Sequence, residues 1–196
     1  MSDMIQFPRK ADHPIARQFL ERWSPRAFAP EAMTEAAKLT LQEAARWAPS
    51  ASNNQPWRLV WALRGEAAFD EIIGSLNASN AVWAGKAAAV VVMASRVVVQ
   101  RGDEVLPNPY HAFDAGAAWA QLGLQAHLMG LHAHAMGGYD RDLLTKAINL
   151  PQDHVTHAVV AVGKRAALQD IPEELRAREV PNQRQTLSET TRHGKF

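Results

Sequence analysis

The chain has 196 residues, 47% hydrophobic and 21% charged, with a formal net charge of +1, the balance of one globular domain able to bury a substantial core. That near-neutral charge gives no footing for a nucleic-acid or anionic-membrane surface, and the absence of cysteine excludes disulfides, thiolate catalysis and cysteine-held metals. The most apolar run, Ala87 to Val99, is broken by Arg96 and too short to span a bilayer; the polar, proline-broken start lacks a signal-like segment, so a single cytoplasmic domain over 1–196 is expected.

In chain order, residues 12–22 read as a first helix and 34–48 as a second. The second carries Ala36, Ala37, Leu41, Ala44, Ala45 and Ala48 at helical spacing behind Thr34 as N-cap, and Pro49 stops it. The polar run Ser50–Gln55 separates it from WRLVWAL, 57–63, a strand. A short helix follows over 66–76, then a buried β-branched strand over 87–95. Residues 100–110, with Gly102, Pro107 and Pro109, read as a loop. A long helix over 112–131 follows, whose Ala115, Gly116, Ala118, Gly123 and Ala126 would let a second backbone approach. A helix over 140–150, a strand over 157–163 and an extended, arm-like tail beyond Ile171 complete the chain. Helices and strands alternate, so the class is α/β or α+β with a mixed sheet.

Three patches point to an anionic, polyhydroxylated, planar ligand. Arg22, Ser24 and Arg26 fall at alternate positions of RWSPRAF; in extended chain they face one way, and two guanidinium forks beside a hydroxyl suit a phosphate or carboxylate. The amides and hydroxyls of PSASNNQ, 49–55, suit a sugar-like chain or the edge of a heteroaromatic ring. Gly137-Gly138 in AMGGYD allows close backbone approach with N–H donors. No dinucleotide-binding glycine pattern, P-loop or G-x-S-x-G is present. Eight histidines are present, with His127, His132 and His134 close together and His154 near His157. Neither group has a zinc spacing, so metal is not expected and core or solvated histidines are the better account. Tyr139 and His111 could line a pocket, with ordinary packing the favoured reading, and Lys164-Arg165 could hold a 2′-phosphate.

The order RWSPRAF, APSASNNQPWRLV, NAVWAGKAAAVVV, a long small-residue helix and GGYD resembles the FMN-dependent nitroreductase family from about residue 15 to 188. The resemblance implies an α+β fold, a mixed β-sheet packed by helices, in an intertwined homodimer with FMN at the subunit interface. It implies that Arg22 and Ser24 meet the phosphate and ribityl end and Arg26 the pyrimidine edge. Pro49, Ser50, Ala51 and Asn53 would come from the partner, along the ring and ribityl chain. Asn80 would meet the flavin or its ribityl hydroxyls, Gly137 and Gly138 would offer backbone N–H groups to flavin N5 and O4, and Arg184 would reach the phosphate. Gly137 stands where some members have Glu, and Asn182 where members often have a second basic residue.

The implied activity is ping-pong reduction of nitroaromatic or quinone-type acceptors by NADH or NADPH through flavin N5, with no side chain acting as acid or base. The long 112–131 helix would form the core of the dimer interface. The alternatives are a specialised flavoenzyme of the same fold, such as an ene-reductase or dehalogenase, a flavin-binding protein without efficient NAD(P)H turnover, and a structural dimer without flavin. The short 96–112 loop argues for an open site rather than an elaborate lid.

Overall fold

The computed structural model describes residues 9–196. Its centre is a four-stranded sheet in the order β1 (Trp57–Leu63), β2 (Ala89–Arg96), β6 (His154–Gly163), β5 (His132–Met136). Every neighbouring pair in it is antiparallel, so the expected mixed sheet is corrected to an antiparallel one. The reason is direction of travel. Leu63 at the end of β1 pairs with Ala89 at the start of β2, because α3 (Ala67–Gly74) and α4 (Ala78–Ala84) return the chain to the end it left. The segment carrying α6 (Arg141–Ala147) does the same between β5 and β6.

Strand alternation builds two cores. On one face of the sheet Val90, Val92, Val159 and Ala161 meet Phe69, Ile72, Trp83 and Leu144 from α3, α4 and α6. On the other, Val91, Met93, Val160 and Val162 meet Leu41 and Ala45 of α2 (Glu35–Arg46), and Ala118, Leu122 and Ala126 of α5 (His111–Leu128). Seven of the eight β2 residues are buried, the burial expected of a strand covered on both faces. Thr34 caps α2 by accepting from the Ala37 amide at 3.2 Å, as its sequence position suggested.

Local differences from the sequence reading have identifiable causes. Helix α1 is only Arg17–Glu21; Pro14 biases His13 away from helical backbone and delays the start. The 66–76 helix ends at Gly74, and Asn77 caps a further helix, α4, by accepting from the Asn80 amide at 3.0 Å. The expected 100–110 loop is largely a hairpin, β3 (Val98–Arg101) with β4 (Glu104–Pro107), turned through Gly102 at φ +58°. The tail is not a free arm at its start. Ile171 is buried with Ala27 and Ala166, Glu179 is buried, and short helices α7 (Glu173–Arg176) and α8 (Leu187–Thr190) punctuate it. No helix among the described residues is long and apolar enough to cross a membrane.

Most of the small residues of α5 are used within this chain. Ala115, Ala118, Gly123 and Ala126 are buried in its own core and only Gly116 of the five is exposed. Ala115, Ala118 and Ala126 pack in one cluster with Leu41 and Ala45 of α2 in the same chain. The exposed stripe of the helix is Phe113, Gly116, Ala120 and Leu128.

Candidate functional site

Helix α1 ends into extended backbone at Arg22. From there Trp23, Pro25 and Ala27 are buried while Arg22, Ser24 and Arg26 are half-buried on the opposite side, the alternation of an extended segment. The segment is pinned to the end of β6: the Ala29 amide donates to the Lys164 carbonyl at 2.9 Å, and the Ala166 amide to the Ala27 carbonyl at 3.0 Å. A cavity of about 510 Å³ opens beside it, lined by Phe19, Arg22, Ser24, Trp119, Gly123 and His134 among others, within the size range of small-molecule sites. The Arg22 side chain passes Gly123 at ordinary contact range: a Cβ there would lie 3.8 Å from Arg22 Cδ.

Arg22 meets no carboxylate among the described residues; its Nη1 makes a long 3.4 Å contact to Ser24 Oγ. Two further guanidiniums are near. Arg184 lines an adjoining cavity of about 460 Å³ together with Arg9, and Phe19 lines both cavities. Burial, then the charge of Arg184, holds Arg22 below its ordinary pKa. Arg9 is held down by burial, then Arg184, then Arg22. The sequence reading found Arg22 and Arg184 but not Arg9, which sits in no recognisable pattern.

Arg26 is positioned through its backbone. Its amide donates to Glu179 Oε1, as does the Ala27 amide at 3.2 Å, and Arg165 Nε donates to Glu179 Oε2 at 3.1 Å. The Arg165 guanidinium lies 5.3 Å over the Trp23 ring, a cation–π contact. Burial, then the charge of Arg178, lowers the Arg26 pKa, and Glu179 opposes this. Lys164 is paired with Glu31 and Arg165 with Glu179. A 2′-phosphate at these two side chains would compete with a carboxylate already bound to each. Glu179 was missed because it acts from 153 residues away in sequence.

Pro49, Ser50, Ala51 and Asn53 do not line the Arg22 cavity. Their loop sits at the start of α5, where the Ala51 amide is shared between the two oxygens of buried Asp114, at 3.3 and 3.2 Å. Asp114 lies in the first turn of α5, where the helix dipole favours a carboxylate. Nine residues separate Asp114 from Gly123, about 13.5 Å at 1.5 Å per helical residue. Ser52, Asn53 and Gln55 all have positive φ, at 48°, 54° and 48°, a cluster of left-handed non-glycine backbone of the kind found at binding loops.

Asn80, Gly137 and Gly138 do converge, beyond the end of β5. The Gly138 carbonyl accepts from the Asn77 amide at 3.0 Å and from Asn80 Nδ2 at 3.3 Å. A Cβ on Gly138 would sit 2.2 Å from Asn77 Nδ2, whereas one on Gly137 would meet nothing within 4 Å. Asn77 cannot move freely, because its Oδ1 caps α4 and also accepts from Ser79. Gly138→Ala is expected to lower stability by about 1–3 kcal/mol through overpacking, and Gly137→Ala to have little effect. Urea denaturation of the pair would check this, and equal losses would refute it.

The histidines are mostly spent in the interior. His134 Nδ1 lies 2.9 Å from the Pro25 carbonyl, its ring 4.6 Å from that of Trp83, and burial lowers its pKa. His111 and His157 share the hydroxyl of buried Ser95, at 2.8 and 2.7 Å. Tyr139 donates to Thr156 Oγ1 at 3.0 Å. Tyr139 and His111 thus have structural bonds, as the packing reading favoured. Among the described residues no three His, Asp or Glu side chains converge as a metal site.

The resemblance read from the motifs has independent support. The nitroreductase family pattern matches residues 20–164. A solved oxidoreductase containing FMN superposes with a TM-score of 0.93 at 38% identity, over 98% of both chains. A nitroreductase family protein from Clostridium difficile 630 shares the fold, with a TM-score of 0.71 at 17% identity, over 94% of this chain and 100% of that one. An uncharacterized 15.4 kDa protein from the ask 5′ region of Mycolicibacterium smegmatis is 36% identical over 95 residues, 48% of this chain and 60% of that protein. The match from residue 20 to 164 includes both the Arg22–Arg26 segment and the Gly137-Gly138 turn, and this chain belongs to the nitroreductase family.

Proposed function

We propose that the chain is an FMN-dependent NAD(P)H oxidoreductase acting on nitroaromatic or quinone-type acceptors, as a homodimer with FMN at the subunit interface. The observation that carries this reading is the meeting of Arg22, Arg184 and Arg9 at adjoining cavities, with no carboxylate among the described residues bonded to any of them. Three cations that repel one another are stabilised by a shared anion, and arginine forks match phosphate oxygens. The donor set therefore fits a flavin phosphate. Ser24 beside Arg22 suits a ribityl hydroxyl, and the open space at Gly137 suits a flat ring edge. Bound there, FMN supplies two-electron transfer between a nicotinamide donor and an electron-poor acceptor.

The protein's part is to hold and tune that group. Arg26, on the side of Arg22 and Ser24 and fixed at its amide by Glu179, stabilises negative charge on the pyrimidine edge in the reduced state. A charge-assisted bond worth about 1.5–3 kcal/mol raises a two-electron potential by roughly 30–65 mV. Arg26→Ala is expected to lower the flavin midpoint by that amount, measured by dye-equilibrated titration. An unchanged midpoint would remove the tuning role.

Two observations favour the dimer. Helix α5 is apolar nearly all round, with Phe113 at 81% and Leu128 at 61% exposure on the outer face, and a helix of that kind is normally covered. Leu39 on α2 and Trp47 at its C-terminal cap extend the uncovered surface. A second copy packed there would also explain why the Pro49–Asn53 loop stands apart from the arginines: it serves the partner's site. Small-molecule exchange then needs no membrane or nucleic acid.

The deciding test is an anaerobic visible spectrum of the purified protein with NADH or NADPH added. A flavin band that bleaches with either nucleotide supports the proposal. A band that persists reduces the chain to a flavin binder, and no band even after added FMN overturns the cofactor assignment.

A further inference from the structure

Arg9 lies far from every motif in the sequence, yet its side chain joins two parts of the anion seat. Its Nη1 donates to the Leu20 and Arg22 carbonyls at 3.0 and 2.8 Å, and its Nε donates to the Asn182 carbonyl at 2.7 Å. The first two acceptors lie where α1 ends and carbonyls have no helical partner; the third is two residues before Arg184. One guanidinium thus ties the segment carrying Arg22 to the segment carrying Arg184. Among the described residues its bonds leave Nη2 unused, and it lines the cavity that Arg184 lines.

We infer that Arg9 is a specificity-determining residue: it completes a three-guanidinium phosphate seat and makes the site prefer phosphorylated flavin over the unphosphorylated form. The inference rests on the FMN reading above. Arg9 contributes in two ways, by its charge and by holding Arg22 and Arg184 within reach of one anion. Both act on the phosphate and neither acts on the ring. Burial first, and the charge of Arg184 next, lower the pKa values of both Arg9 and Arg22, as expected for cations held close together.

The experiment compares FMN and riboflavin binding to full-length chain freed of flavin, by fluorescence quenching, for wild type, Arg9→Gln and Arg9→Lys. Arg9→Gln is expected to weaken FMN about 10- to 100-fold, the worth of one charge-assisted bond, and to change riboflavin less than about two-fold at the scale of a lost neutral contact. Arg9→Lys, which keeps the charge, recovers part of the FMN preference and serves alone if the glutamine variant does not fold. Equal weakening of both flavins, or no change in either, overturns the inference while leaving FMN as the cofactor. A wild-type chain that binds neither flavin overturns the cofactor reading, and this assignment with it.

Discussion

Glu179→Ala is expected to destabilise the protein by about 3–5 kcal/mol, the cost of stranding a buried charge, or roughly 6–20 °C in Tm at about 2–4 °C per kcal/mol for a chain of this size. Glu179 is 6% exposed. Its two oxygens serve the Arg26 and Ala27 amides and Arg165 Nε. The Arg165 side chain is 11% exposed and its Nη2 already lacks a partner among the described residues. Without Glu179, Arg165 keeps, among the described residues, the Trp23 ring beneath it, and two backbone amides lose their acceptor. Glu179→Gln retains one acceptor oxygen and should cost less.

A second variant separates the charge from the amides. Glu179→Leu with Arg165→Met removes both charges and should recover part of the loss, since well-packed apolar replacements of buried pairs are often neutral. Arg26 would still lose its backbone anchor, so its effect on flavin potential should weaken in the double variant too. Chemical denaturation of the three proteins checks the stability order. A loss below about 1 kcal/mol for Glu179→Ala would mean that water replaces the carboxylate and that the pair is not structural.

How much of this was legible in the sequence follows from separation along the chain. The strand at 57–63 was read with its observed bounds, since proline and polar residues mark its start and apolar residues fill it. The β2 strand was legible because seven of its eight residues are buried, which requires a continuous apolar run. Helix α4 was not, because Asn77-Ala78-Ser79-Asn80 reads as a turn, although Asn77 is an N-cap. The β3–β4 hairpin was hidden by Gly102 and Pro107, which punctuate loops and hairpins alike. Strand direction was not legible at all: alternating helices and strands do not reveal to which end of the sheet each connection returns.

The site shows the same division. Arg22, Ser24 and Arg26 were readable because alternation within five residues puts them on one side, as observed. Gly138 was singled out for ligand approach, but the close neighbour it accommodates is Asn77 of its own chain. Glu179 and Arg9 were unreadable. The first acts across 153 residues and the second across 173, through backbone amides and carbonyls that carry no residue identity.

The second large effect is acid lability. Burial, then the nearby charges of Arg165, His127 and Arg22, pushes the His132 pKa from 6.5 down to about 4. The folded chain therefore keeps this imidazole neutral while the unfolded chain takes up a proton near its ordinary pKa. The unfolded state binds more protons between these values, so stability is complete above about pH 6.5 and falls as pH drops toward 4. A gap of about 2.5 units amounts to about 3 kcal/mol. His134 and His157 are also shifted down, chiefly by burial, and act in the same direction.

His132→Phe tests the contribution directly. The ring lies edge-on to Trp23 at 6.3 Å and its Nδ1 is buried without a partner among the described residues, so an aromatic apolar replacement keeps the contact and removes the titration. The variant should match wild type within about 1 kcal/mol at pH 7.5, as a shape-conserving change, and exceed it by about 2–3 kcal/mol at pH 4.5. Parallel pH curves for the two proteins would show that His132 is not the group responsible. The charges that hold His132 neutral include Arg22 of the proposed phosphate seat. An anion bound there offsets their repulsion and makes protonation of His132 less costly. Wild type loaded with FMN is therefore expected to unfold at a lower pH than the flavin-free chain, with the difference shrinking in Arg22→Ala.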